Sequence, residues 1–242
     1  MNFIESETHG TDCSIALLRL NRPKYANAYN NQMLSAMEQK LKSYARDNSV
    51  RALIITGDGR EVFCAGADKN EIDRRRVIDG LNLVSKYVFD LIANLTIPTI
   101  AAINGAAIGG GLELALACDI RISTQTAKFA LPEIKLGLTP AAGGLTRLPQ
   151  TIGVSRAKEM ILFGREIDAA TALSWGLVSL LTEDVTKEAL SLAMGVISKN
   201  PLALRLAKHI LNVDYPSGRH DLSNMAQALL YEQIYQRGNN ER

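Results

Sequence analysis

The hydrophobic and polar positions of this chain alternate between two patterns as the sequence advances. Short, almost wholly apolar runs have the length and composition of buried β-strands, and each is followed by a longer segment with apolar residues at helical spacing. The strand-like runs cover 15–23, 50–59 and 98–105, and the helix-like segments cover 30–47 and 77–95. A further helix-like run, LELALACD, precedes the strand-like IRIST. This order predicts an α/β fold.

The pattern becomes entirely helical toward the C-terminal end. Three helical segments cover 185–200, 201–213 and 221–236. We therefore expect an α/β core over 1–190 and a helical region over 191–242. The last two segments carry the apolar stripes Leu202, Leu206, Ile210 and Met225, Leu229, Ile234. Burial against neighbouring subunits would satisfy these stripes, and so would packing back on the α/β core.

Composition and charge narrow the class of protein. The chain has 242 residues, of which 47% are hydrophobic and 21% charged, which is enough for one large core. With a net charge of +2, the chain has no basic run of the kind that binds nucleic acid, although Arg74, Arg75 and Arg76 are adjacent. No apolar run is long enough to span a membrane, and the first residues lack a signal-peptide pattern. We expect no nucleic-acid or membrane partner.

The three cysteines, Cys13, Cys64 and Cys118, show neither paired nor metal-binding spacing. They have the pattern of reduced thiols in a reducing compartment, which favours a cytoplasmic location. We expect no metal site.

One carboxylate stands out in the stretch NGAAIGGGLELALACDI, residues 104–120. Three glycines precede a helix-like run, so the first amides of that helix can donate to a developing oxyanion. Glu113 follows among leucine, alanine and cysteine, where burial would raise the pKa of its carboxyl. The alternative is that the glycines serve packing and that Glu113 complements the helix dipole. The glycine spacing matches neither a phosphate loop nor a dinucleotide fingerprint.

Two more segments supply candidate groups. In VFCAGADKNEI, residues 62–72, small residues would let a second backbone amide point into a shared site, whereas Asp68 is best explained as a helix cap. Glu133 follows a proline among apolar residues in 128–153, and a surface cap is its alternative role. Two carboxylates near two amide donors could act as acid and base on one substrate.

Five motifs in order carry a resemblance to a known family. They are NRPKYANAYN, FCAGAD, IAAINGAAIGGGLELALACD, FALPEIKLGLTPAAGGLTRLPQTIG and ALSWGLVS. The chain resembles the crotonase (enoyl-CoA hydratase/isomerase) superfamily over nearly its whole length. The resemblance implies a spiral of ββα repeats followed by a helical C-terminal region that forms homotrimers or dimers of trimers.

The resemblance also assigns a site. It makes Glu113 and Glu133 the catalytic pair and the amides of Ala67 and Gly110 the oxyanion hole for the thioester carbonyl. It places the remainder of the acyl-CoA on Lys24, Ala26, Ala28, Ala65, Asp68, Lys69 and Ala141. It implies neither metal nor cofactor, because coenzyme A is part of the substrate.

The presence of both glutamates favours an enoyl-CoA hydratase, which adds water in a syn sense to a trans-2-enoyl-CoA and forms a 3-hydroxyacyl-CoA in acyl-CoA catabolism. Other readings of the same fold are a Δ3,Δ2-enoyl-CoA isomerase, a decarboxylase or hydrolase of acyl thioesters, and a non-catalytic acyl-CoA-binding protein. Two positions depart from the family pattern: Asn70 replaces a usual lysine, and Ala141 a frequent glycine.

Overall fold

Two β-sheets lie side by side and are covered by helices. This computed structural model describes residues 3–10, 12–212 and 224–231. Among those residues, no helix is both long and apolar enough to cross a membrane.

The strands are short and the helices of moderate length. The strands are β1 (Ile4–His9), β2 (Ile15–Leu20), β3 (Ala52–Gly57), β4 (Val62–Cys64), β5 (Thr99–Ile103), β6 (Ala106–Ile108), β7 (Ile120–Ser123), β8 (Lys128–Ala130), β9 (Ile167–Asp168) and β10 (Leu180–Leu181). The helices are α1 (Asn31–Arg46), α2 (Lys69–Ile72), α3 (Val77–Leu81), α4 (Val84–Ala93), α5 (Gly110–Leu116), α6 (Gly144–Ile152), α7 (Val154–Leu162), α8 (Ala169–Ser174), α9 (Val185–Ile197) and α10 (Pro201–Leu211). Residues 23–25 and 133–136 form 3₁₀ turns, and 224–231 are helical.

The chain alternates between the two sheets as it advances. One sheet has the order β1-β2-β3-β5-β7-β10 and the other β4-β6-β8-β9. Thus β3, β5 and β7 are each followed by a strand of the second sheet, β4, β6 and β8. Pairing is parallel except where β1 meets β2 and β9 meets β8. The predicted α/β spiral of strand–strand–helix repeats is confirmed.

The inner strands β2, β3 and β5 of the first sheet are almost wholly apolar because both of their faces are buried. In β3, Leu53 and Ile55 join the larger core, whereas Ala52 and Ile54 face a second cluster beneath α9. The alternation follows the pleat of the strand. It explains why residues 50–59 are apolar without a period of two.

Asn104 and Gly105 connect the two sheets between β5 and β6. The Asn104 side chain accepts from the Gly57 amide at 3.1 Å and donates to the Gly59 carbonyl at 2.8 Å. A side chain on Gly105 would overlap with the Glu61 backbone. The strand expected over 98–105 therefore ends in a turn, and the short strand β6 leads to the three glycines.

The helix expected over 77–95 is divided into α3 and α4. Asn82 and Leu83 leave the helical conformation between them. Gly80 and Asn82 have weak helix propensity, and Leu83 packs against the main core.

The C-terminal helices are attached to the core in different ways. Helix α9 covers the first sheet through Val185, Ala189 and Ala193, so the predicted boundary at residue 190 falls within a core-packed helix. Helix α10 is held by Lys208, whose ammonium donates to the Ile97 carbonyl at 2.9 Å and to Asp119 at 2.8 Å. The division at residue 190 stays a prediction.

The predicted apolar stripes lie partly on the surface. Leu202, Leu206 and Ile210 of α10 are half-buried, and Met225 and Leu229 are exposed. Ile234 lies outside the described residues. Packing within one subunit therefore leaves apolar side chains of this region uncovered.

Candidate active site

A cavity of about 480 Å³ opens where three strands of the second sheet end. Its walls include Ala65–Ala67 after β4, Gly109 and Gly110 after β6, and Glu133 after β8. These strands are parallel, so the segments after their carboxyl ends meet at one edge of the sheet. The topology thus brings together three segments that lie far apart in the sequence.

Two backbone amides of this edge have no protein acceptor within the described ranges. They belong to Ala67 and Gly110. Gly110 begins α5, where the first amides lack partners inside the helix. Gly66, at φ +93°, allows the two segments to lie close together, because a Cβ at this position would lie only 3.1 Å from the Gly110 nitrogen. The geometry suits two donors to one oxygen.

Tyr29 packs beneath the Gly110 amide. A side chain on Gly110 would overlap with the Tyr29 hydroxyl, so only glycine fits. The Tyr29 and Ser85 side chains are both buried, and burial raises the pKa of Tyr29 far above the usual range, opposed in part by Ser85. Tyr29 is thus a neutral hydroxyl at the cavity wall.

Glu113 lies in the first turn of α5 and is only 3% exposed. One of its carboxylate oxygens accepts from the amides of Ala142 and Gly144, each at 2.8 Å. Burial raises the pKa of Glu113, and the two amides and the charge of Arg147 oppose that rise. The carboxylate is therefore both buried and oriented.

Glu133 has a different environment on the same cavity. Its Oε2 is buried and has no hydrogen-bond partner among the described residues. Burial, reinforced by the charge of Glu113, raises the pKa of Glu133 to about 7. A Cβ on Gly109 would lie 2.9 Å from its other oxygen, so that glycine makes room for the carboxyl. Glu133 can hold or release a proton near neutral pH.

Three of the other predicted binding residues line this cavity: Ala65, Lys69 and Ala141. Lys69 and Ala141 are exposed at its rim. The replacement Ala141 precedes Ala142, one of the donors to Glu113.

The other four, Lys24, Ala26, Ala28 and Asp68, lie outside the cavity lining. Ala26 is adjacent to it, because its carbonyl accepts from the Ala65 amide at 3.0 Å. Asp68 caps α2 through the Asn70 amide and pairs with Arg22 at 2.9 Å. The capping interpretation of Asp68 is confirmed.

Sequence reasoning did not select several polar residues that line the cavity, among them Tyr29, Arg75 and Ser85. Tyr29 lies within one of the motifs quoted above, and Arg75 within the arginine cluster. Ser85 gives no signal, because it lies in an ordinary helical pattern.

Comparisons with known proteins agree with this geometry. The family model for enoyl-CoA hydratase/isomerase matches residues 10–240. A probable mitochondrial enoyl-CoA hydratase 2 of Arabidopsis thaliana is 40% identical over 232 residues, which cover 93% of this chain and 74% of the relative. The putative enoyl-CoA hydratase/isomerase YngF of Bacillus subtilis is 42% identical over 203 residues, covering 82% and 78%.

A solved structure extends the likeness to the whole fold. The crystal structure of an enoyl-CoA hydratase from Bacillus anthracis has a TM-score of 0.90 and 32% identity, covering 100% of this chain and 97% of that one. Matching sequence and fold lead to one conclusion: this chain is an enzyme of the enoyl-CoA hydratase/isomerase family.

Proposed function

We propose that this enzyme adds water to a trans-2-enoyl-CoA and forms a 3-hydroxyacyl-CoA. The observation that carries the proposal is the meeting of two carboxyls and two unpaired amides in one cavity. The substrate carries its own coenzyme A, so the proposed reaction uses no separate cofactor.

The two amides would act on the thioester carbonyl. When water adds at C3, electron density moves through the double bond into that carbonyl, which becomes enolate-like. The amides of Ala67 and Gly110 would stabilise the negative oxygen more strongly than the neutral carbonyl, which lowers the barrier.

The two carboxyls would divide the proton transfers. Glu113 accepts two amide hydrogen bonds that favour its charged form, so it is suited to orient and deprotonate the water. Glu133 has a buried oxygen that receives no hydrogen bond from the described residues and a pKa of about 7, so it is suited to carry the proton for C2. Because the two groups interact, they titrate as a pair.

The proposal includes a homotrimer or dimer of trimers in the cytoplasm. Exposed Met225 and Leu229 and the half-buried stripe of α10 support association. The free thiols of Cys13, Cys64 and Cys118 support a reducing compartment.

The test follows the absorbance of the conjugated thioester of crotonyl-CoA. The enzyme is expected to bleach it, whereas an isomerase would generate it from a 3-enoyl-CoA and a binding protein would leave it unchanged. Glu113→Gln and Glu133→Gln should each lower kcat by about a hundredfold or more, the usual contribution of a general acid or base.

Glu183→Gln is the matched control, because Glu183 is exposed and remote from the cavity. It should retain full activity. Near-full activity of either cavity variant would remove that residue from the mechanism.

A further inference from the structure

One part of the cavity wall is unexpectedly polar for a site that holds an acyl chain. Ile72 and Leu83 supply apolar surface there, but the buried hydroxyls of Tyr29 and Ser85 lie in the same lining. The two hydroxyls interact, since the Ser85 side chain lowers the pKa of Tyr29 against the effect of burial. When one of them donates to the other, the second keeps a proton for another acceptor.

Arg75 adds a positive charge to this part of the wall. It is half-buried, lines the cavity, and its charge is close enough to lower the pKa of the Tyr29 hydroxyl against the effect of burial. Among the residues that the structure describes, no carboxylate lies within ion-pair distance of its guanidinium and no hydrogen bond from its side chain is found.

The acidic residues nearest to Arg75 have other hydrogen bonds. Glu71 and Asp79 share with Arg75 the walls of a smaller neighbouring cleft. Both carboxylate oxygens of Glu71 accept from the Asn31 amide, at 3.1 and 3.0 Å. Asp79 accepts from the Arg76 amide at 2.8 Å. Arg75 thus lines the cavity with no ion-pair partner in the part of the chain that the structure describes.

An apolar acyl chain would worsen this arrangement, because it would remove water from the guanidinium and offer no acceptor. A carboxylate would reverse the balance, since a guanidinium binds it through two parallel hydrogen bonds. We propose that the acyl subsite accepts a thioester whose acyl chain ends in a carboxylate, bound by Arg75 with help from the Tyr29 and Ser85 hydroxyls. This inference rests on the proposed function, from which it takes the thioester.

The cations at the rim are separate from this subsite. Lys69 and Arg76 line the same cavity but are exposed. They face solvent, where the phosphates of coenzyme A would lie. Arg75 differs from both in being half-buried beside the two hydroxyls.

The test compares two ligands that differ only in the terminal group, adipyl-CoA and hexanoyl-CoA. Neither has a double bond to hydrate, so calorimetry measures binding without turnover. In the full-length enzyme, adipyl-CoA should bind roughly 10-fold more tightly or better, as expected for a charge-assisted pair. Arg75→Gln should bring the ratio of the two dissociation constants close to one, and Arg75→Lys should restore part of it.

Arg74→Gln is the matched control, because Arg74 is exposed, adjacent in sequence and absent from the cavity lining. It should keep the wild-type ratio. Equal affinity of the wild type for both ligands would overturn the proposal. So would an equal loss of both affinities in Arg75→Gln, since Arg75 would then act on coenzyme A.

The crotonyl-CoA assay on the same preparations separates this proposal from the proposed function. Failure to hydrate both crotonyl-CoA and its carboxylate-ended counterpart 2,3-dehydroadipyl-CoA, together with preference for adipyl-CoA, would contradict hydration alone. Hydration of crotonyl-CoA without that preference would contradict the carboxylate subsite alone.

Discussion

At the scale of single residues, the two glutamates of the cavity differ in their hydrogen bonds. Glu113 is held by two backbone amides, whereas the buried oxygen of Glu133 receives no hydrogen bond within the described part of the chain. The same residue type therefore has two different proton affinities in one site. Such differences between neighbouring carboxyls support acid–base chemistry.

The raised pKa of Glu133 predicts a stability change that depends on pH. The unfolded chain releases this proton near the ordinary value of 4.5, but the folded chain keeps it to about 7. Folding of the wild type should therefore weaken as pH rises between these values. Glu133→Gln carries no such charge, so its melting temperature should match the wild type at pH 4 and exceed it by on the order of 5 °C at pH 8.

Thermal melts across this pH range check the prediction, with Glu183→Gln as the control for loss of a carboxyl at an exposed position. A constant difference between wild type and Glu133→Gln at every pH would show that Glu133 titrates normally in the fold.

The sequence predicts Glu113 better than Glu133. Leucine, alanine and cysteine lie close to Glu113 in the sequence, so its burial can be predicted from its neighbours along the chain. Glu133 is buried by residues from other turns of the spiral, and Gly109 makes the space that it occupies. Tyr29 and Arg75 escaped selection for the same reason, because their meeting depends on the packing of α3 and α4.

At the scale of elements, the glycines of the two turns leave space that neighbouring groups occupy. The start of α5 can approach the β4 exit only because Gly66 and Gly111 lack side chains. The sequence indicated both turns, yet it did not show β4, β6 or β8. Strands of three residues are too short to display a period, and their pairing is set by the longer first sheet.

The contact between Gly110 and Tyr29 predicts a non-additive pair of substitutions. Gly110→Ala should lower kcat by about a hundredfold, the usual cost of losing an oxyanion donor, because the new methyl group overlaps with the Tyr29 hydroxyl and displaces the amide. Tyr29→Leu removes the hydroxyl with which the new methyl group at position 110 would overlap. The double variant should therefore be more active than Gly110→Ala alone.

Steady-state kinetics on the four proteins of this cycle give the measurement, and circular dichroism checks that each is folded. Strictly additive losses would mean that Tyr29 does not restrict residue 110.

At the scale of the whole molecule, the uncovered apolar residues of the C-terminal helices predict self-association. Light scattering at micromolar concentration should return a mass of three or six times 26.3 kDa. Leu229→Glu, which places a charge on an exposed apolar position of residues 224–231, should shift the population toward smaller species. A monomer mass in a preparation that hydrates crotonyl-CoA would contradict the proposed assembly.

The winding of the chain between two sheets also determines when a growing polypeptide becomes an enzyme. Ala67 leaves the ribosome early, and Glu133 follows much later. The amide of Gly144, which holds Glu113, follows after that. Under the proposed mechanism, a nascent chain that stops short of Gly144 cannot orient its base. Once Gly144 of the 242 residues has been made, every lining residue of the cavity, from Tyr29 to Ala142, has already been synthesised.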